Sequence, residues 1–201
     1  MSNAGGMSTI TRYVDMLAGN TTWNPWEPAG AYDALATVTV PSGGVASITF
    51  AGIPTGYKHL QIRLLAQTNR AVFVDSLQLN FNSDTGSNYS WHTVQGDGSS
   101  PSALGFATQT YARIGDGTIG GATGSGGQFG AGVIDILDYV STNKNKTIRG
   151  LIGVDENGAG RIALGSGLWQ NSSTAISSIN ITPQAGTLFL QNSSFSLYGV
   201  K

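Results

Sequence analysis

Apolar residues fall on alternate positions through much of this chain. In KHLQIRLLA (58–66), Leu60, Ile62 and Leu64 share one face of an extended segment, and His59, Gln61 and Arg63 share the other. VDSLQLNFN (74–82) repeats the arrangement with Leu77, Leu79 and Phe81 inward. A period of two held over this length is the pattern of a half-buried β-strand. LATVTV (35–40) and VASITF (45–50) alternate on either side of PSGG, which predicts a hairpin. VIDILDYV (133–140), TIRGLIGV (147–154), RIALGSGLW (161–169), AISSINIT (175–182) and TLFLQNSSFSLYGV (187–200) also read as strands. NKNK, DENGAG and PQAG between them have turn chemistry. A strand every dozen residues, with no long helical period, predicts an all-β fold: a jelly-roll-like β-sandwich over residues 35–201. Between residues 94 and 130 the alternation loosens into QGDGSSPSALG and GDGTIGGATGSGGQFG, which predicts one long Gly-rich loop.

Residues 1–34 break from the pattern. TRYVDML (11–17) is too short for a stable isolated helix, and TTWNPWEPAGAYDA (21–34) holds two of the four Trp and two of the six Pro. Proline biases the residue before it toward extended geometry, so the segment reads as an extended N-terminal arm. Trp23, Trp26 and Tyr32 are large rings that need cover. Either the arm folds back over its own domain, or these three residues anchor it to a neighbouring subunit or particle.

Composition sharpens the picture. With 201 residues, one domain is expected. The 29 glycines suit a protein of many tight turns, because glycine supplies positive φ without steric cost. Charged residues are 10% of the chain and the net charge is −1, which argues against nucleic acid as a partner. The densest basic stretch, KNKTIR (144–149), reads as a solvated turn. Sparse charge also suits a chain packed among copies of itself. Having no cysteine excludes a disulfide framework and thiolate chemistry. No apolar run approaches the ~18 residues that span a bilayer, so membrane insertion is not expected. The N-terminus lacks the basic-then-apolar layout of a secretion signal.

The densest candidate chemistry lies in FNSDTGSNYSWH (81–92), which crowds an acid, two Asn, the rings of Tyr89 and Trp91 and one of two histidines together. A calcium loop started at Asn80 has Thr85 where glycine is needed and Trp91 where the bidentate Glu should be. A looser cation site from Asp84, Asp97 and Asp116, or an imidazole pair from His59 and His92, would need convergence that the spacing does not suggest. Ser125 and Ser166 lie in Gly-rich runs, but neither has glycine on both sides at the nucleophile-elbow spacing. Asp135 and Asp138 sit at odd spacing on one predicted strand and point apart. The GDG turns lack the helix and lysine of a phosphate cradle. No enzyme activity, metal or cofactor is expected. Within 81–92, SDTGSN has turn composition. The functional alternative is a glycan-contacting cluster in which the Tyr89 and Trp91 rings stack on a sugar while Asp84, Asn88 and His92 read its hydroxyls.

Three stretches carry a resemblance: IPTGYKHLQIRLLAQTNRA (53–71), DSLQLNFNSDTGSNYSWHTVQGDG (75–98) and SSFSLYGVK (193–201). In these phrases the chain resembles virion structural proteins of tailed bacteriophages, labelled as tail, fibre or structural proteins. The resemblance implies a β-sandwich module located on the virion, without chemistry of its own and with capsid or tail proteins as partners. On that expectation the protein is a capsid decoration or head-fibre module, assembled as a homotrimer and anchored by its arm. The alternative is a tail-associated module that binds a host receptor or surface glycan.

Overall fold

The computed structural model describes residues 31–123, 127–156 and 158–201, and among them every regular element is a β-strand. Trp23, Trp26 and the rest of the arm before Ala31 lie outside the described residues, as does Ser125. The strands are β1 (Tyr32–Thr39), β2 (Ile48–Ala51), β3 (His59–Ala66), β4 (Val74–Asp75), β5 (Leu77–Phe81), β6 (Tyr89–Gly96) and β7 (Pro101–Gln109). They continue with β8 (Ala112–Arg113), β9 (Ile119–Gly120), β10 (Gly130–Leu137), β11 (Lys146–Asp155), β12 (Gly160–Trp169), β13 (Ser178–Pro183) and β14 (Ser194–Val200).

Two unequal antiparallel sheets form a sandwich. The large one has eight strands in the order β1-β14-β3-β10-β11-β12-β6-β7, and the small one has four, β2-β13-β5-β8. A short β4-β9 pair closes one side. The alternation read from the sequence is the burial pattern: Leu60, Ile62 and Leu64 of β3 point inward with Ile134, Ile136, Ile148 and Ile152 of their neighbours. Across the core they meet Ile48, Phe50, Leu77, Leu79, Phe81, Ile179 and Ile181 of the small sheet. Burial of these side chains, each contributing roughly 1.5–3 kcal/mol, is what drives the two sheets together.

Three glycines on the inner face set how closely the sheets approach. Gly165 and Gly167 of β12 face inward with Gly150 of β11, and together they make a hollow that receives Ile114. A Cβ on Gly150 would stand 2.5 Å from the Ile114 side chain. The GSG of RIALGSGLW is therefore a packing device, and Ser166 between the two glycines faces outward.

Two expectations are corrected. The hairpin over 35–50 does not form: PSGG does turn, with the Gly44 N–H donating to the Pro41 carbonyl. But β1 then pairs with β14 in the large sheet and β2 with β13 in the small one. The turn carries the chain across the sandwich, so that each strand finds its apolar partner in a different layer. The long loop after residue 94 is not one loop, since it contains the nine-residue β7. In addition, Tyr32 and Asp33 already pair with Val200 and Gly199, so the sandwich begins at residue 32 and not at 35.

Candidate functional site

The 81–92 segment is the cap on one end of the sandwich. Leaving β5, the chain turns through Asn82 and Ser83, both with positive φ (51° and 58°). The Asp84 carboxylate then accepts hydrogen bonds from the Gly86 N–H (2.8 Å), the Asn88 side-chain amide (3.0 Å) and Trp169 Nε1 (2.7 Å). Burial alone would raise the Asp84 pKa, but the bonds from Trp169, Asn88 and Gly86 outweigh it and hold the carboxyl below its ordinary value. The Tyr89 hydroxyl donates to the Asp84 carbonyl and accepts from the Phe81 N–H. Burial pushes this phenol up to about 12. The Asn82 side chain stitches the loop to the approach of β13 through the Ala175 carbonyl and the Ser177 and Ser178 N–H groups.

This geometry corrects the sugar-stacking reading. The rings of Tyr89 and Trp91 are 0% and 1% exposed, so neither offers a face to a pyranose. Tyr89 lies among Phe81 and Trp169, and Trp91 packs on Phe106. Asp84 and Asn88 bond each other and the end of β12. Of the five proposed contacts only His92 is an exposed side chain free of this cap. It stands on the far face of the sheet, where Gly105 leaves room for its ring.

The other candidates are dispersed. His59 and His92 sit on β3 and β6, separated by three strands, so roughly four strand spacings or 19 Å lie between them. The His59 Nδ1 accepts the Asp138 N–H. Asp84 and Asp97 flank the two ends of β6, roughly 25 Å apart. Asp97 caps its own turn through Ser99 and Ser100, and those bonds lower its pKa to about 2. Asp116 is held by Arg113 and the Ser76 hydroxyl. Asp135 bonds Gln61 and Arg149, while Asp138 takes Lys144 in the turn that ends β10. Among the described residues no group of three or more His, Asp and Glu could hold a metal ion. The basic stretch is also not wholly a solvated turn. Lys146 is fully buried, its ammonium donating to the Asn171 carbonyl (2.7 Å) beside the Trp169 ring, and desolvation lowers its pKa.

The feature that sequence reading missed is the outer face of the large sheet. Register aligns its outward side chains in rows across the strands. One row is polar: Tyr198, Gln61, Asp135, Arg149, Ser166 and His92. In it Arg63 Nε donates to Gln61, Gln61 Nε2 to Asp135, and Arg149 Nε to Asp135. Tyr32 belongs to this side: the Arg63 guanidinium lies 5.3 Å from its ring and 4.6 Å from that of Tyr198. The next row runs Arg63, Val133, Leu151, Leu164, Val94, Ala103. The one beyond runs Leu65, Ala131, Gly153, Ile162, Gly96, Pro101. From β10 to β7 these two rows contain no charge. Leu151 and Val94 are each 51% exposed, and Ile162 and Leu164 each 57%. A shallow groove of about 560 Å³ runs between His92, Arg149, Leu164 and Ala103 at the border with the polar row.

A contiguous apolar plateau of this kind on one sheet face is the type of surface that macromolecular contacts bury. It supplies no nucleophile and no acid–base pair. The sequence signal was present in Leu151, Ile162 and Leu164, which interrupt the expected polar face of β11 and β12, but their alignment emerges only from the register. No family model matches the chain, and no curated protein matches it, so the plateau and the cap are the features on which a functional reading rests.

Proposed function

We propose that this protein is a non-enzymatic structural component of a bacteriophage particle, of capsid decoration or head-fibre type. Its N-terminal segment attaches it, and its sandwich packs against the particle or neighbouring copies through the plateau. The observation that carries this reading is the pair of uncharged rows on the outer face from β10 to β7, beside an end cap whose polar groups bond one another. The resemblance of residues 53–71, 75–98 and 193–201 to tailed-phage structural proteins supplies the setting. Trp23 and Trp26 are the proposed anchors, with Tyr32 at the point where that segment joins the sheet. The glycan-binding alternative loses its two stacking rings to the core.

Particles lacking the protein provide the test. Full-length chain, a version starting at Ala31 and the Leu151→Lys variant are added to them and located by electron microscopy. Binding by the full-length chain on the head, lost on truncation and weakened by Leu151→Lys, is the expected outcome. Binding at the tail, or equal binding by all three folded proteins, overturns it.

A further inference from the structure

The two margins of the large sheet are built differently. β1 ends one of them with Asp33 in an ion pair with Lys201 and a register break between Ala34 and Ala36. Charge and a bulge are devices that discourage edge pairing. β7 ends the other. Among the described strands it pairs only with β6, and its residues PSALGFATQ are uncharged and, except for half-buried Gln109, exposed. Its register with β6 runs unbroken from Pro101 to Phe106, and the one irregularity lies beyond Phe106. Leu104 and Phe106 stand on its inner side, past the reach of the small sheet, and are 38% and 45% exposed.

A second observation falls on the same margin. Among the described residues three buried side-chain atoms have no hydrogen-bond partner: Trp91 Nε1, Gln95 Oε1 and Arg113 Nε. Trp91 and Gln95 are the β6 residues opposite Phe106 and Ser102 of β7. The Arg113 guanidinium lies over the Trp91 ring at 4.7 Å. Buried polar atoms are nearly always partnered in finished structures. Two of the three thus lie one strand inside the β7 edge, on the side where Leu104 and Phe106 stand.

We propose that the margin is completed by a second copy of this chain, β7 pairing antiparallel with β7 across a two-fold axis. Such an axis pairs residue i with j and j with i, so only a charge close to the axis would face its own counterpart. The nine residues of β7 carry none, whereas Asp33 near a two-fold through β1 would repel itself. An antiparallel strand is self-complementary in this arrangement. One plateau row ends on Ala103, so an axis there carries that row from one copy into the next. With the axis at Ala103, Leu104 of each copy stands opposite Ser102 of the other and diagonal to the other Leu104. A two-fold contact makes an even-numbered assembly, a departure from the trimer expected of phage appendages. The inference concerns β7 alone and stands whether or not the protein belongs to a particle.

Because the chain has no cysteine, single-cysteine variants report the contact directly. Full-length Ala103→Cys is oxidised and compared with Thr37→Cys, an exposed position on β1. The expected result is a covalent dimer from Ala103→Cys and monomer from Thr37→Cys. Sedimentation of the unmodified protein is expected to give twice the 20.8 kDa chain mass. Leu104→Lys and Leu104→Glu should each weaken the dimer more than tenfold, and an equimolar mixture of the two should restore it. A monomer or trimer of the unmodified chain at micromolar concentration, or equal cross-linking at positions 103 and 37, overturns the proposal.

Discussion

The cap at residues 81–92 and the plateau on the large sheet invert what their sequences suggest. The cap is rich in groups that could do chemistry, yet those groups are consumed by one another: Asp84 by Trp169, Asn88 and Gly86, and Tyr89 by the backbone at Phe81 and Asp84. The plateau is made of Leu, Ile, Val, Ala and Gly, which look like core residues, yet they face outward. Polar richness at the cap reflects the cost of closing a sandwich end, where strand termini leave backbone groups that need partners. Apolar richness on an outer face costs solubility unless something covers it. The difference teaches that exposure and hydrogen-bond completeness, and not residue chemistry, separate a structural element from a docking surface.

That contrast can be broken most forcefully at Trp169. Trp169→Ala removes a buried ring, the Asp84 donor and the cover of Lys146 together. A loss of about 3–5 kcal/mol is expected in chemical denaturation, as for other buried aromatics cut to alanine. A smaller effect is expected from Asp84→Asn, which keeps an acceptor but loses the charge: about 1–2 kcal/mol at neutral pH. Its pH dependence has a definite sign. The folded-state pKa of Asp84 is lowered, so its carboxylate stabilises the fold above the unfolded value near 4, and that contribution is lost as pH falls through the folded pKa. The stability gap between the native protein and Asp84→Asn should therefore be full at pH 7 and close below about pH 4. A gap that persists at pH 2 would detach Asp84 from the cap's stability. The smallest effect on the fold is expected on the plateau. Leu151→Ser combined with Leu164→Ser should shift stability by less than about 1 kcal/mol, while reducing association with particles or with other copies. A large loss of stability there would mean that the plateau is part of the fold after all.

Much of this architecture was legible. The strands with one dry face, β3, β5, β6, β11, β12 and β14, display period two because burial selects alternate positions. What stayed illegible has a common cause. β7 is wet on both faces, so burial imposes no alternation on PSALGFATQ and it reads as a loop. β1 and β2 alternate well, but alternation says nothing about which layer a strand joins, and the PSGG turn is equally at home between sheets. Within 81–92 the turn at SDTGSN could be read from composition. The inward aim of Tyr89 and Trp91 followed from their shared face, but which side of the sheet is covered is a property of the assembled sandwich. The plateau required five strands in register before its residues became neighbours.

One feature of the topology bears on how the protein is made. β14 lies between β1 and β3, so the strand that opens the sandwich has no neighbour in the sheet until residues 194–200 arrive. The closing ion pair joins residues 168 positions apart. During synthesis the ribosome must therefore release nearly the whole domain before β1 can dock. Until then the nascent chain holds an incomplete sheet with its β3 edge open, a state in which chaperone protection or high dilution should decide the yield of soluble protein.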